Sequence, residues 1–198
     1  MSLKRFGNKI EIGCDEAGRG SLSGPVVASA VILPRNFKNS DLDDSKKLSS
    51  KKREELSKII LEKAISCKIG IVDQTEIDEI NILNASILAM HKALEKTQKN
   101  FEVILIDGPH FKKYKNHLHN CIVRGDSKYI AIAAASIIAK TYRDKFMMKI
   151  HNEFPNYKWH KNKGYPTMEH RFAIKNFGIS KYHRKSFKLI DNQTSLMI

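Results

Sequence analysis

Asp15-Glu16-Ala17-Gly18-Arg19-Gly20 sets two adjacent acids, then an arginine between two glycines, at the end of the short apolar stretch 10–14. Paired carboxylates beside a glycine backbone rich in open N–H groups suit a hard divalent cation next to a phosphodiester. Adjacent side chains on a strand point to opposite faces, so Asp15 and Glu16 reach one cation only if the chain turns or bulges there. Gly18 and Gly20 permit such a turn. A plain surface turn after a strand uses the same residue types, and at this point both readings stand. Two other phosphate motifs are excluded. No Gly-x-x-x-x-Gly-Lys-Ser/Thr run occurs, and Gly18, Gly20 and Gly24 fall one residue out of register with the dinucleotide-binding fingerprint.

Two further acids follow apolar stretches. The continuous run 103–106 reads as a strand covered on both faces and ends in Asp107-Gly108-Pro109; the stretch 121–123 ends in Arg124-Gly125-Asp126. In open α/β sheets functional groups gather at the carboxyl ends of strands. If these strands are neighbours, Asp15, Glu16, Asp107 and Asp126 converge and repel, and a divalent cation is the natural counter-charge. Oxygen ligands without a His or Cys cage suit Mg²⁺ or Mn²⁺ rather than Zn²⁺. His117-x-His119-x-Cys121 lacks the second ligand pair that a zinc site needs.

The elements that must position these residues follow from pattern. Strands are expected at 10–14 and 25–33, joined as a hairpin around 20–24, then a polar loop over 35–48. Ser49 or Ser50 caps a helix to about residue 66, with Glu54 placed to close a capping box. Residues 67–72 alternate like a strand, and 77–95 form a helix with Ile82, Leu83, Ile87, Met90 and Leu94 on one face. A long helix, alanine-rich near its start, spans 128–150. A basic loop with Pro and Gly covers 151–166, and a last helix 167–177. Strands interleaved with helices mean an α/β domain with a mixed sheet. Residues 1–150 are expected to form the main domain, with 151–198 a small helical and basic extension packed on it as one functional unit.

Composition bounds the partners. With 198 residues, 41% hydrophobic and 28% charged, the chain suits one well-buried globular domain. A formal net charge of +14 points to a polyanion. Three unpatterned cysteines suggest a reducing compartment without disulfides. The opening residues resemble no signal peptide, and the longest apolar run, 130–139, is too short to span a bilayer. The expectation is a cytoplasmic protein with no membrane partner.

The sequence resembles the bacterial ribonuclease HII family over nearly its whole length. The resemblance rests on Gly13-Cys14-Asp15-Glu16-Ala17-Gly18-Arg19-Gly20, Gly24-Pro25-Val26-Val27-Ala28, Asp44-Ser45-Lys46-Lys47-Leu48, Asp107-Gly108, Gly125-Asp126-Ser127-Lys128 and Ala135-Ser136-Ile137-Ile138-Ala139-Lys140. It closes with Lys163-Gly164-Tyr165-Pro166-Thr167, His170 and His183-Arg184-Lys185-Ser186-Phe187. One departure is the turn Gly178-Ile179-Ser180-Lys181-Tyr182, where the family usually carries prolines. The resemblance implies an RNase H-like fold, a five-stranded mixed sheet flanked by helices with a small C-terminal helical extension. It implies cleavage of RNA in RNA–DNA hybrids, and of lone ribonucleotides in duplex DNA on their 5′ side, leaving 3′-hydroxyl and 5′-phosphate ends. By motif, Asp15, Glu16, Asp107 and Asp126 would bind Mn²⁺ or Mg²⁺, Gly18-Arg19-Gly20 would sense the 2′-hydroxyl, and Tyr165 would stack on the junction sugar. Lys46, Lys47 and Lys140 would contact phosphates, and the protein would act as a monomer.

Other residues allow two roles each. Asp144 shares a helix face with Ser136 and Lys140 and is expected to pair with Lys140 or Arg143. His170 and His183 suit structural or phosphate contacts; Trp159-His160 suits packing or a duplex contact. Two alternative functions stand beside the ribonuclease. A non-catalytic basic nucleic-acid-binding protein explains the charge but not four acids at strand ends, and a resolvase- or transposase-like nuclease would lack the Gly-Arg-Gly element and Tyr165.

Overall fold

The protein is described by a computed structural model over residues 3–42, 45 and 48–190. Five strands, β1 (Glu11–Ala17), β2 (Val26–Ile32), β3 (Ser66–Val72), β4 (Val103–Asp107) and β5 (Leu118–Ile122), form one sheet in the order β3-β2-β1-β4-β5. β1 pairs antiparallel with β2 and β2 with β3, while β1, β4 and β5 run parallel. The mixed sheet is the one expected, and β1–β2 is the expected hairpin. β1 runs on through Asp15 and Glu16 in regular register with β2, without the bulge that glycine allowed.

Helices α1 (Ser50–Lys63), α2 (Gln74–Glu95) and α3 (Ile130–Glu153) cover the sheet. Alternation along β1 sends Ile12 and Cys14 into a core with α2, together with Val26, Ala28, Ile104 and Ile106. Gly13 and Asp15 therefore face α3. A Cβ at Gly13 would lie 2.2 Å from the Ala131 carbonyl carbon, so only glycine lets the α3 backbone approach this closely. The first ten residues of α3, Ile130–Ala139, are all buried, as a helix apolar on every side requires.

Several expectations are corrected. Ser49 is the cap of α1 and accepts from the Lys52 N–H, so Glu54 lies past the first turn and closes no capping box. The helix stops at Lys63, and Ser66 already belongs to β3. α2 begins at Gln74 on an Asp73 cap and kinks at Asn81, at φ 64°, whose side chain caps the second half by accepting from Leu83 and Asn84 N–H groups. The kink rotates Leu83 out of the expected apolar face. β5 starts at Leu118, three residues before the expected strand, because backbone pairing with β4 rather than hydrophobicity defines this edge. Residues 151–166 are not a plain loop: a 3₁₀ turn (Pro155–Tyr157) and the short helix α4 (Trp159–Asn162) precede α5 (Met168–Phe177).

This C-terminal part is organised by a buried polar chain. Trp159 is fully buried and donates its indole N–H to His170 Nε2 at 3.0 Å; His183 Nε2 lies 3.2 Å from the same atom. His170 Nδ1 sits 3.0 Å from the Tyr165 carbonyl, and the Ser180 N–H donates to His183 Nδ1 at 2.9 Å. A carbonyl only accepts, so His170 carries its proton on Nδ1; an N–H only donates, so His183 carries its own on Nε2. Both histidines are structural and neutral. The Gly178–Tyr182 turn closes the network, since its Tyr182 carbonyl also accepts from Gly24 N–H at 2.8 Å.

Burial, reinforced by neighbouring His170, lowers the His183 pKa to about 4, and burial also lowers that of His170. The unfolded chain then binds more protons below the ordinary histidine value of about 6.5. Stability from these rings is complete above that pH and is lost as pH falls toward 4. Each ring contributes a slope of up to about 1.4 kcal/mol per pH unit inside the window. Urea unfolding between pH 7 and pH 5 should show this loss, with a flatter dependence in His183→Gln. Identical slopes in the two proteins would mean that His183 is charged in the native state.

Candidate metal centre and active-site cleft

β1–β4 pairing ends at Cys14 opposite Ile106, which leaves Asp15 and Asp107 side by side at the carboxyl ends of two parallel strands. Both have the parity that faces α3. Asp126 arrives differently from its expected place. It follows β5 in a 3₁₀ turn (Gly125–Ser127) that Arg124 opens in the left-handed region at φ 56°. The Gly125 N–H donates to Asp107 Oδ1 at 2.6 Å, tying this turn to β4. As a result one carboxylate oxygen from each of Asp15, Asp107 and Asp126 lies within 4.8 Å of the others.

Glu16 points to the opposite side of β1 and is not part of that triad. It lines the same cleft, with one oxygen on Arg19 Nη1 at 3.2 Å. Its other oxygen, Oε2, is buried with no hydrogen-bond partner among the described residues. Burial first, then Glu16 and Asp107, holds the Asp15 carboxyl well above the usual range, against a hydrogen bond from Ser136. Burial also raises Glu16, offset by Arg19 and reinforced by Asp107. Converging oxygen ligands, one oxygen still unsatisfied and mutual repulsion together fit a hard divalent cation. The residues able to hold it are Asp15, Asp107 and Asp126, with Glu16 at the margin.

The cleft, about 620 Å³, is also lined by Gly18, Arg19, Gly20, Lys140 and Tyr165, so most residues singled out in the sequence meet in one place. Lys46 and Lys47 lie outside the described residues. Lys140 Nζ is 2.8 Å from Asp144 and 5.4 Å from the Tyr165 ring centre. Asp144 pairs with Lys140 as expected, and with Arg53 at 3.5 Å instead of Arg143. Tyr165 divides its roles: the backbone carbonyl anchors His170, while the half-buried ring faces the cleft. Ser45, Ser136 and Arg53 also line the cleft; the first two stood within the family motifs without a site role, and Arg53 was not singled out. Ser136 lies one turn before Lys140 on α3, the shared face that the four-residue spacing indicates. Arg53 had no signal within a lysine-rich helix start.

Comparison with solved structures gives the class first. The ribonuclease H2 of Pyrococcus horikoshii OT3 aligns with TM-score 0.77 over 90% of this chain and 94% of that chain, at 23% identity. Bst-RNase HIII, solved in complex with Mn²⁺, aligns with TM-score 0.70 over 90% and 67%, at 18% identity. The fold is thus RNase H-like. The family model for ribonuclease HII matches residues 12–190, and the ribonuclease HII of Christiangramia forsetii is 57% identical over 195 residues, 98% of both chains. The chain belongs to the ribonuclease HII family, metal-dependent endonucleases of the RNase H type.

Asp107→Asn keeps a carbonyl acceptor for Gly125 N–H while removing one charge from the triad. Without metal, its melting temperature should hold or rise by a few degrees as like-charge repulsion is relieved. A lowered melting temperature, read by circular dichroism in excess chelator, would count against strain in the acid cluster.

Proposed function

We propose that this chain cuts the RNA strand of RNA–DNA hybrids and incises duplex DNA at single ribonucleotides, on their 5′ side, leaving 3′-hydroxyl and 5′-phosphate ends. The observation that carries this reading is the sharing of one cleft by Asp15 and Asp107 of the carboxylate triad, Gly18-Arg19-Gly20 and Tyr165, with Asp126 directly beside the two acids. In the proposed assignment Asp15, Asp107 and Asp126, aided by Glu16, hold Mn²⁺ or Mg²⁺. Held there, such a cation would supply water activation and charge stabilisation at the leaving 3′-oxygen.

The protein's own groups supply selection. Only the 2′-hydroxyl separates RNA from DNA locally, so a backbone without side chains is a suitable sensor. Gly20 is exposed, and a Cβ there would meet no protein atom within 4 Å, leaving its face open to a sugar. Tyr165, braced by Lys140 and by Arg143 at 5.5 Å, would pack on the junction sugar, and Lys140 would meet a phosphate. Lys46 and Lys47 are proposed phosphate contacts on the family resemblance alone. We infer a cytoplasmic monomer in which residues 151–198 act with 1–150 as one unit.

The test is incubation with duplexes carrying one ribonucleotide, a long RNA strand, or DNA only, with and without Mn²⁺ or Mg²⁺. Cleavage should need both a ribonucleotide and metal. Binding without cleavage under every metal would return the chain to the non-catalytic reading, and cutting of all-DNA duplex to the resolvase-like one.

Two glycines give a paired prediction. Gly20→Ala should fold normally yet lose about 10²-fold in cleavage at a lone ribonucleotide, as a displaced substrate does. Gly18→Ala should instead destabilise the fold, because the residue is at φ 97° and its Cβ would meet Arg143 Nε at 2.0 Å. Normal cleavage by Gly20→Ala would refute backbone sensing at this loop.

Tyr165→Phe keeps the ring and should retain most activity. Tyr165→Ala loses a stacking surface of the kind worth roughly 1–3 kcal/mol per base, and should impair cleavage at a lone ribonucleotide more than on a long hybrid. Because Tyr165 anchors His170 only through its carbonyl, the melting temperature should barely change. Equal loss on both substrates with a large drop in stability would make the ring structural.

A further inference from the structure

Two arginines in this basic protein point inward. Arg184 and Arg143 are fully buried, and among the described residues neither forms an ion pair with a carboxylate. Their donors go to backbone carbonyls. Arg184 Nη2 donates to Gly18 O at 2.7 Å and Gly24 O at 2.9 Å, Nη1 to Arg19 O at 2.9 Å, and Nε to Gly24 O at 3.0 Å. Arg143 binds Ser23 O, Pro25 O and Lys163 O at 2.9–3.1 Å. Burying a guanidinium is costly, so what these two hold in place is informative.

We propose that Arg184 is a positioning residue for ribonucleotide recognition: it pulls the carbonyls of Gly18 and Arg19 inward and so turns the N–H groups of Arg19 and Gly20 toward the cleft. The inference rests on the proposed sensing role of this loop. All peptide bonds here are trans, so each carbonyl is antiparallel to the N–H that follows it. With Gly18 O and Arg19 O held by one guanidinium, the Arg19 and Gly20 N–H groups face away from the core. Among the described residues neither N–H has a hydrogen-bond partner, and both residues line the cleft. They form a fixed pair of donors, suited to a sugar hydroxyl beside a phosphate oxygen. Arg143 ties the return limb of the same loop, at Ser23 and Pro25, to Lys163 beside Tyr165. A lysine could not replace Arg184, because only a planar fork reaches three carbonyls together.

The experiment uses the full chain with Arg184→Lys, which keeps the charge and loses the fork. On duplex with a lone ribonucleotide kcat should fall about 10²-fold, as for a misplaced reactive geometry, while KM stays within about threefold. In ¹⁵N relaxation the Arg19 and Gly20 amides should be rigid in the substrate-free wild type, with order parameters about 0.85, and fall below about 0.6 in the variant. A folded variant with normal kcat and rigid amides would overturn the inference. If the variant fails to fold, wild-type relaxation still decides: rigid amides support the inference and mobile ones overturn it. Gly20→Ala separates the two levels. Normal cleavage by Gly20→Ala removes the sensing loop itself; impaired Gly20→Ala beside normal Arg184→Lys removes only the role of Arg184.

Discussion

Three carboxylates within 4.8 Å of one another would separate if their backbones were free, and most of the architecture keeps them together. Parallel pairing of β1 with β4 brings Asp15 beside Asp107. The close seat of α3 on Gly13 fixes the height of the helix above them, and the 3₁₀ turn hung from Asp107 delivers Asp126. Each support is apolar or backbone in character, and none neutralises the charge. The raised Asp15 carboxyl records what remains unpaid until a cation arrives. Such a centre is preorganised because rigid packing, rather than the ligands themselves, sets its geometry.

The parts legible in the sequence were those where one physical signal dominates. Continuous apolar runs marked β1, β2 and β4, and the apolar start of α3 marked a helix buried on all sides. Three of the four candidate acids could be read from their position at strand ends, and the structure brings Asp126 beside Asp15 and Asp107 although it sits in a 3₁₀ turn rather than at a strand end. What stayed hidden depends on partners far away in the chain. β5 is a strand because β4 offers it a ladder, although Leu118 is largely exposed. The Asn81 kink needs a left-handed residue that local propensity places in a turn, not in a helix. α4 is short and held by the burial of Trp159, which no local periodicity announces.

The buried arginines mark a similar limit. In a chain with 35 lysines and arginines, charge alone points every cation toward solvent or a polyanion. Arg143 and Arg184 reverse that expectation because they satisfy carbonyls of irregular backbone, which no sheet or helix could serve. Glycine loops close to a site are otherwise soft. An internal guanidinium gives such a loop rigidity without adding a side chain on its outer face.

The proposed catalytic and recognition sides of the cleft therefore rest on different materials. The acids sit on strands and a 3₁₀ turn, held by apolar packing, the β1–β4 ladder and the Gly125 N–H bond to Asp107. The loop at 18–25, the segment at 163–165 and the turn at 182–184 are joined by polar bonds: Leu22 N–H to Gly164 O at 2.7 Å, Arg184 N–H to Leu22 O at 2.9 Å, and the arginine forks. Beneath them lies the neutral Trp159–His170–His183 chain, connected to Tyr165 through its carbonyl. Protonating His170 would leave two donors facing each other at 3.2 Å, and protonating His183 would set its Nδ1–H against the Ser180 N–H at 2.9 Å, so this layer loosens before the acid scaffold does. Mild acid would then loosen the proposed sugar-recognition side of the cleft before the strand and turn backbone that carries the triad. This ordering follows from which bonds hold each half of the cleft.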